Sequence, residues 1–148
     1  MDTRRIRLSF PGTMAGFEQA AASLSAALQG EDLDPRLRYH VELVFEEIVV
    51  NVVRYAAPRG AVTAVDVSLT VGAQAIVMIF EDDGLPFDPC SRPDPSPPKT
   101  LADAQVGGLG LLLVRHMATT LRYERTPSHR NRLTVALART PEHAASVN

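Results

Sequence analysis

At 148 residues, the chain can bury one hydrophobic core but not a second independent one, so a single domain must carry its function. Its 45% apolar and 22% charged content fits a water-soluble protein, and its apolar runs fall well short of the roughly 20 residues of a membrane span. A net charge of −2 supplies no basic field for nucleic-acid phosphates, and one cysteine, Cys90, rules out an internal disulfide or a cysteine-cluster metal site.

The opening residues, Met1-Asp2-Thr3-Arg4-Arg5, carry charge where a signal peptide is apolar, which makes a cytoplasmic location the expectation. Residues 6–10 alternate apolar and polar as a half-buried strand does, and Pro11-Gly12 ends the run. Over residues 14–28, Phe17, Ala21, Leu24 and Leu28 recur at steps of three and four, which predicts a helix broken by Gly30. Asp34 before Pro35 has the form of a helix N-cap, and Leu37, Val41, Val44, Ile48 and Val52 carry a second helix to Tyr55 or Ala56.

Residues 65–71 and 75–81 read as two strands of an antiparallel hairpin turning at Gly72-Ala73-Gln74, the second aliphatic enough to be central. Six prolines between Pro86 and Pro98 preclude regular structure and suggest an exposed, stiff lid. A short helix over residues 111–120 and a last strand pair, 121–125 and 132–138, complete the order. This is the pattern of an α+β two-layer sandwich, a mostly antiparallel sheet with helices on one face. Residues 1–140 are expected to form one domain, and 141–148 a flexible tail.

Three short motifs carry candidate chemistry. In Glu47-Ile48-Val49-Val50-Asn51, a spacing of four sets a carboxylate and a carboxamide about 5–6 Å apart on one helix face. The Asn oxygen is a hard donor suited to magnesium and the Glu a proton acceptor, although solvated helix faces carry the same pair without function. Glu81-Asp82-Asp83-Gly84-Leu85-Pro86-Phe87-Asp88-Pro89 follows the central strand directly, so Asp82 stands at a strand end beside any crevice. An acceptor-only carboxylate suits the exocyclic amine of adenine, and Gly84 permits a sharp turn and close backbone approach; an ordinary acidic turn is the alternative. Gly107-Gly108-Leu109-Gly110-Leu111 leads into an aliphatic helix, where bare backbone N–H groups attract phosphate oxygens; a flexible loop ahead of a helix is the plainer reading.

In their order and spacing these segments resemble the GHKL ATPase superfamily and, within it, the anti-sigma-factor serine kinases. Glu47-x-x-x-Asn51 is similar to their N box, Asp82-x-Gly84-x-Pro86-Phe87-Asp88-Pro89 to their G1 box, and Gly107-Gly108-Leu109-Gly110-Leu111 to their G2 box. The resemblance covers nearly the whole chain and implies a Bergerat ATP-binding fold with ATP and Mg2+ as cofactors. It implies Glu47 as general base, Asn51 as the magnesium ligand, and Asp82 as the reader of the adenine amine, with Gly84 and Phe87 beside it. Gly107, Gly108, Leu109, Gly110 and Leu111 would wrap the phosphates, Asn131 would lie near adenine, and Arg54 would face phosphate or solvent. Tyr55 stands where these kinases often have histidine, and Thr119-Thr120 where they often have an acid.

The implied reaction is γ-phosphoryl transfer to a serine on an anti-anti-sigma (STAS-like) partner, with a sigma factor or comparable protein as the alternate target and a homodimer as the assembly. The alternatives are an ATP-gated sequestering module without kinase activity and a detached ATPase domain of a histidine kinase. No P-loop or eukaryotic-type kinase motif occurs, and the histidines are too scattered for a two-His metal site.

Overall fold

The computed structural model describes residues 3–56, 64–91 and 108–139. The predicted lid falls mostly outside these residues, as do the tail and Gly107. Among the described residues, alternation of side chains builds five strands: β1 (Arg4–Pro11), β2 (Ala64–Val71), β3 (Ala75–Asp82), β4 (Thr120–Arg125) and β5 (Asn131–Ala138). They form one antiparallel sheet in the order β1-β2-β3-β5-β4, which sets the aliphatic β3 at the centre, as expected. Strand β1 runs through Pro11, tolerated because an edge strand leaves one row of its N–H groups unpaired.

Every second residue of β2, β3 and β5 is buried, including Val67, Leu69, Met78, Leu133 and Val135. The cover comes from α1 (Met14–Gln29), α2 (Pro35–Asn51) and α3 (Gly108–Met117), whose inward stripes include Leu24, Leu28, Val41, Val44, Phe45 and Val114. Phe45 joins the layers, its ring centroid 6.0 Å from Phe10, 5.9 Å from Phe17 and 6.4 Å from Phe80. The other sheet face carries a polar row from β1 to β4. Asp66 accepts from Ser9 and pairs with Arg130, and Glu81 pairs with Arg130 and Arg132, which reaches Glu124.

The helix starts follow local chemistry. Thr13 Oγ1 accepts from the Gly16 N–H at 3.0 Å, and Asp34 Oδ1 from the Arg36 N–H at 2.7 Å, with Pro35 in the first turn where it needs no donor. Gly16 lies so close to Pro11 that an added Cβ would press into its backbone carbonyl, which lets α1 fold directly back on β1.

Three boundaries differ from expectation. The second helix reaches Ala56, but beyond Asn51 it widens into a π-helix over Val52–Ala56, a form that frequently marks functional sites. Helix α3 starts at Gly108, so the described glycines form its first turn instead of a loop before it. The proline-rich segment contains a 3-10 turn at Pro89–Ser91, since the φ of proline fits a tight helical turn as well as a loop. No helix among the described residues is long and apolar enough to cross a membrane.

Candidate functional site

The inward rows of the sheet change character toward one end. Phe80, Leu133 and Tyr123 face one another across β3, β5 and β4, and the next inward row is Asp82, Asn131 and Arg125. The same period-two alternation that fills the core therefore delivers polar groups to its rim. Above them runs the last turn of α2, and between the two lies a cleft of about 360 Å3, open mouth included. Its apolar walls are Ile48, Val52, Phe80 and Leu133; Phe87, Pro89 and Tyr123 frame one side, and Asn51, Asp82 and Asn131 supply its polar groups.

Asp82 is 7% exposed, and its Oδ1 accepts from the Gly84 N–H at 2.8 Å and from Asn131 Nδ2 at 3.0 Å. Among the described residues its Oδ2 accepts no hydrogen bond, which leaves one carboxylate oxygen for a ligand donor. Gly84 is buried with its N–H committed to this turn.

Asn131 organises the wall. Its Nδ2 also donates to Leu85 O at 2.8 Å, and its Oδ1 accepts from the Phe87 N–H at 3.2 Å, Tyr123 OH at 2.6 Å and Arg125 Nη1 at 3.2 Å. Arg125 donates further to Gly84 O at 2.8 Å. The acidic turn is thus held from β4 and β5, with the Asn131 carboxamide engaged by protein. Sequence reasoning placed Asn131 near the site but missed Tyr123 and Arg125. The inward alternation of the strand that carries them was the available signal.

Asn51 is 6% exposed in the cleft wall, and its carboxamide makes no hydrogen bond among the described residues. Glu47, one turn earlier, does not line the cleft. Its carboxylate lies against Gly110 in the first turn of α3. Burial pushes the Glu47 carboxyl above the usual range, the charge of Glu46 adds to this, and Arg54 opposes it. Arg54 is exposed on the π-helix outside the cleft, near enough for its charge to act on Glu47.

The glycine segment divides. Gly108 and Leu109 open α3, Gly110 is buried against Glu47, and Leu111, expected at the phosphates, is a core residue at 7% exposure. Arg115 of α3 donates to Pro89 O at 3.1 Å and Cys90 O at 3.4 Å, which ties α3 to the end of the acidic turn. Burial, followed by the charge of Asp88, raises the Cys90 thiol, which disfavours the thiolate a nucleophile needs.

Helices over one face of an antiparallel sheet, with a cleft between a helix end and strand ends bordered by an acidic turn, define a Bergerat-type ATPase domain. A family model described as histidine kinase-like ATPase domain matches residues 10–137, and the chain belongs to that family. ATP is the nucleotide this membership implies. The chain is 33% identical over 107 residues to the serine/threonine-protein kinase BtrW of Bordetella bronchiseptica, covering 72% of this chain and 75% of that protein. Among solved structures, it is similar to a chain in the crystal structure of the SiaB-SiaC complex from Pseudomonas aeruginosa, with a TM-score of 0.57. That match has 18% identity over 90% of this chain and 89% of the other, a likeness of fold.

Proposed function

We propose that the chain is a serine protein kinase of the anti-sigma type, which uses Mg-ATP to phosphorylate an anti-anti-sigma (STAS-like) partner and alternates between it and a sigma factor or comparable target. The observation that carries this reading is the pairing, across one cleft, of a buried carboxylate at Asp82 and a buried carboxamide at Asn51, where Asp82 Oδ2 and the Asn51 carboxamide make no hydrogen bond among the described residues. Asp82 Oδ2 accepts from the adenine amine while Asn131 and Gly84 hold the other oxygen, and Phe87 flanks the ring. In this reading the backbone N–H groups that open α3, from Gly108, take the phosphates.

The donor set also fits magnesium, because the Asn51 carboxamide is a hard oxygen ligand with no competing partner among the described residues. When bound, the ion supplies charge neutralisation at the phosphates. Glu47 takes the proton of the partner's serine hydroxyl as its oxygen bonds to the γ-phosphorus and the bond to the β-phosphate oxygen of ADP breaks. Its raised pKa makes it a stronger base than an ordinary glutamate. Phosphate on the partner adds nearly two negative charges next to an acidic turn, which favours release and frees the kinase for its other target. The similarity to a protein named as a serine/threonine kinase supports this reading over other members of the family.

Incubation with γ-labelled ATP and candidate STAS-like proteins tests the reading. Acid-stable label on a partner serine, lost in Glu47→Ala while ATP still binds, is the expected result. Absence of transfer to any partner, with ATP binding intact, would leave a nucleotide-gated sequestering module. Acid-labile label would indicate histidine phosphorylation.

A further inference from the structure

Gly110 stands within a regular helix, in helical backbone, where glycine is a poorer helix former than alanine. No left-handed dihedral requires it there. What requires it is space. A Cβ built on Gly110 meets Oε2, Cδ and Cγ of Glu47 as its three nearest heavy atoms, Cγ at 2.9 Å and the other two closer still. At Gly16 the nearest atoms are those of Pro11, backbone carbonyl foremost, whereas at Gly30 and Gly72 the nearest atom is 3.5 and 3.3 Å away. Gly110 thus differs from these in being filled, from outside its own helix, by one carboxylate-bearing side chain.

We propose that Gly110 is a positioning residue, the seat on α3 against which the Glu47 side chain of α2 rests, so that this glycine sets where the carboxylate stands. The contact is independent of any assigned chemistry; its consequence for phosphoryl transfer rests on the reading of Glu47 as the base. The seat also accounts for the environment of Glu47, since packing against α3 is what removes a helix-surface carboxylate from water. The colliding atoms are the far end of a flexible side chain, so an alanine here is relieved by rotation of Glu47 rather than by movement of backbone. Helix α3 and its N–H groups stay in place, and the carboxylate leaves its position. A glycine serving only phosphate approach would behave differently, because its replacement would weaken nucleotide binding whatever residue stood at position 47.

The test is a double-mutant cycle on the full chain with Gly110→Ala, Glu47→Ala and the pair, read by ADP affinity, thermal unfolding and labelled transfer. Gly110→Ala alone should keep ADP affinity within about threefold while transfer falls by ~10²-fold or more, the scale of a displaced general base. In the Glu47→Ala background, the three atoms nearest the added Cβ are gone. The same alanine should then change transfer no further and raise the unfolding temperature by about 2–4 °C through helix propensity, a gain absent or reversed in the parent. Equal effects of Gly110→Ala in both backgrounds on affinity and unfolding temperature would overturn the seat. Should Glu47→Ala itself leave transfer intact, the base assignment fails. The coupling in unfolding temperature still decides the contact.

Discussion

Replacing Asn131 by aspartate exchanges one amide nitrogen for an oxygen of nearly the same size and leaves the rest of the side chain in place. Oδ1 can still accept from Phe87, Tyr123 and Arg125, so those struts survive. Two donor bonds are lost, 3.0 Å to Asp82 Oδ1 and 2.8 Å to Leu85 O. A bond to a charged acceptor contributes about 1.5–3 kcal/mol and one to a carbonyl about 0.5–1.5 kcal/mol, so the loss is about 2–4.5 kcal/mol. At about 2–4 °C per kcal/mol for a chain of this size, a loss near 3 kcal/mol lowers the unfolding temperature by roughly 6–12 °C.

The loss should depend on pH. Two carboxyls in contact in a buried row cannot both ionise readily, so in the folded variant one of them holds a proton that the unfolded chain releases. The folded state then binds more protons than the unfolded one, and stability falls as pH rises from the ordinary carboxyl range through the raised value. In acid the shared proton restores a donor between the two oxygens. Thermal unfolding of Asn131→Asp and the parent at about pH 5 and about pH 8 should therefore show the larger deficit at the higher pH. An equal deficit at both, or none, would mean that the Asn131 amide is not what holds Asp82.

Two further perturbations probe the other side of the cleft. Burial and then Glu46 hold the Glu47 carboxyl above its usual range, and Arg54 works against both, so transfer should decline as acid protonates Glu47. Removing that cation in Arg54→Ala raises the carboxyl further and shifts the acid limb of the pH–rate profile to higher pH with its plateau kept; an unmoved limb refutes the coupling. Asn51→Ala should abolish the part of ATP affinity that depends on magnesium, so that titrations with the metal and with a chelator converge. A persistent difference between them would separate Asn51 from the metal.

Much of the architecture was legible because its causes are local. Spacings of three and four over Phe17, Leu24 and Leu28, and over Leu37, Val41, Val44 and Ile48, match stripes that are in fact buried. The Asp34-Pro35 cap and the Gly72-Ala73-Gln74 turn stand where their chemistry required. The widening of α2 into a π-helix after Asn51 and the entry of the glycines into α3 were not legible. Both depend on how a helix packs against its neighbours, which residue order along one helix does not encode.

Residue order by itself determined most of the elements and their alternation, and nominated Glu47, Asn51 and Asp82 as candidate groups, since each follows from periodicity, turn chemistry or side-chain type within a short window. The partnerships among these groups came from three-dimensional packing. Asp82 and Asn131 meet because β3 and β5 pair in one register, and Glu47 meets Gly110 because α2 and α3 cover the same sheet face. These contacts join positions 49 and 63 residues apart, and only the closed core brings them within bonding distance.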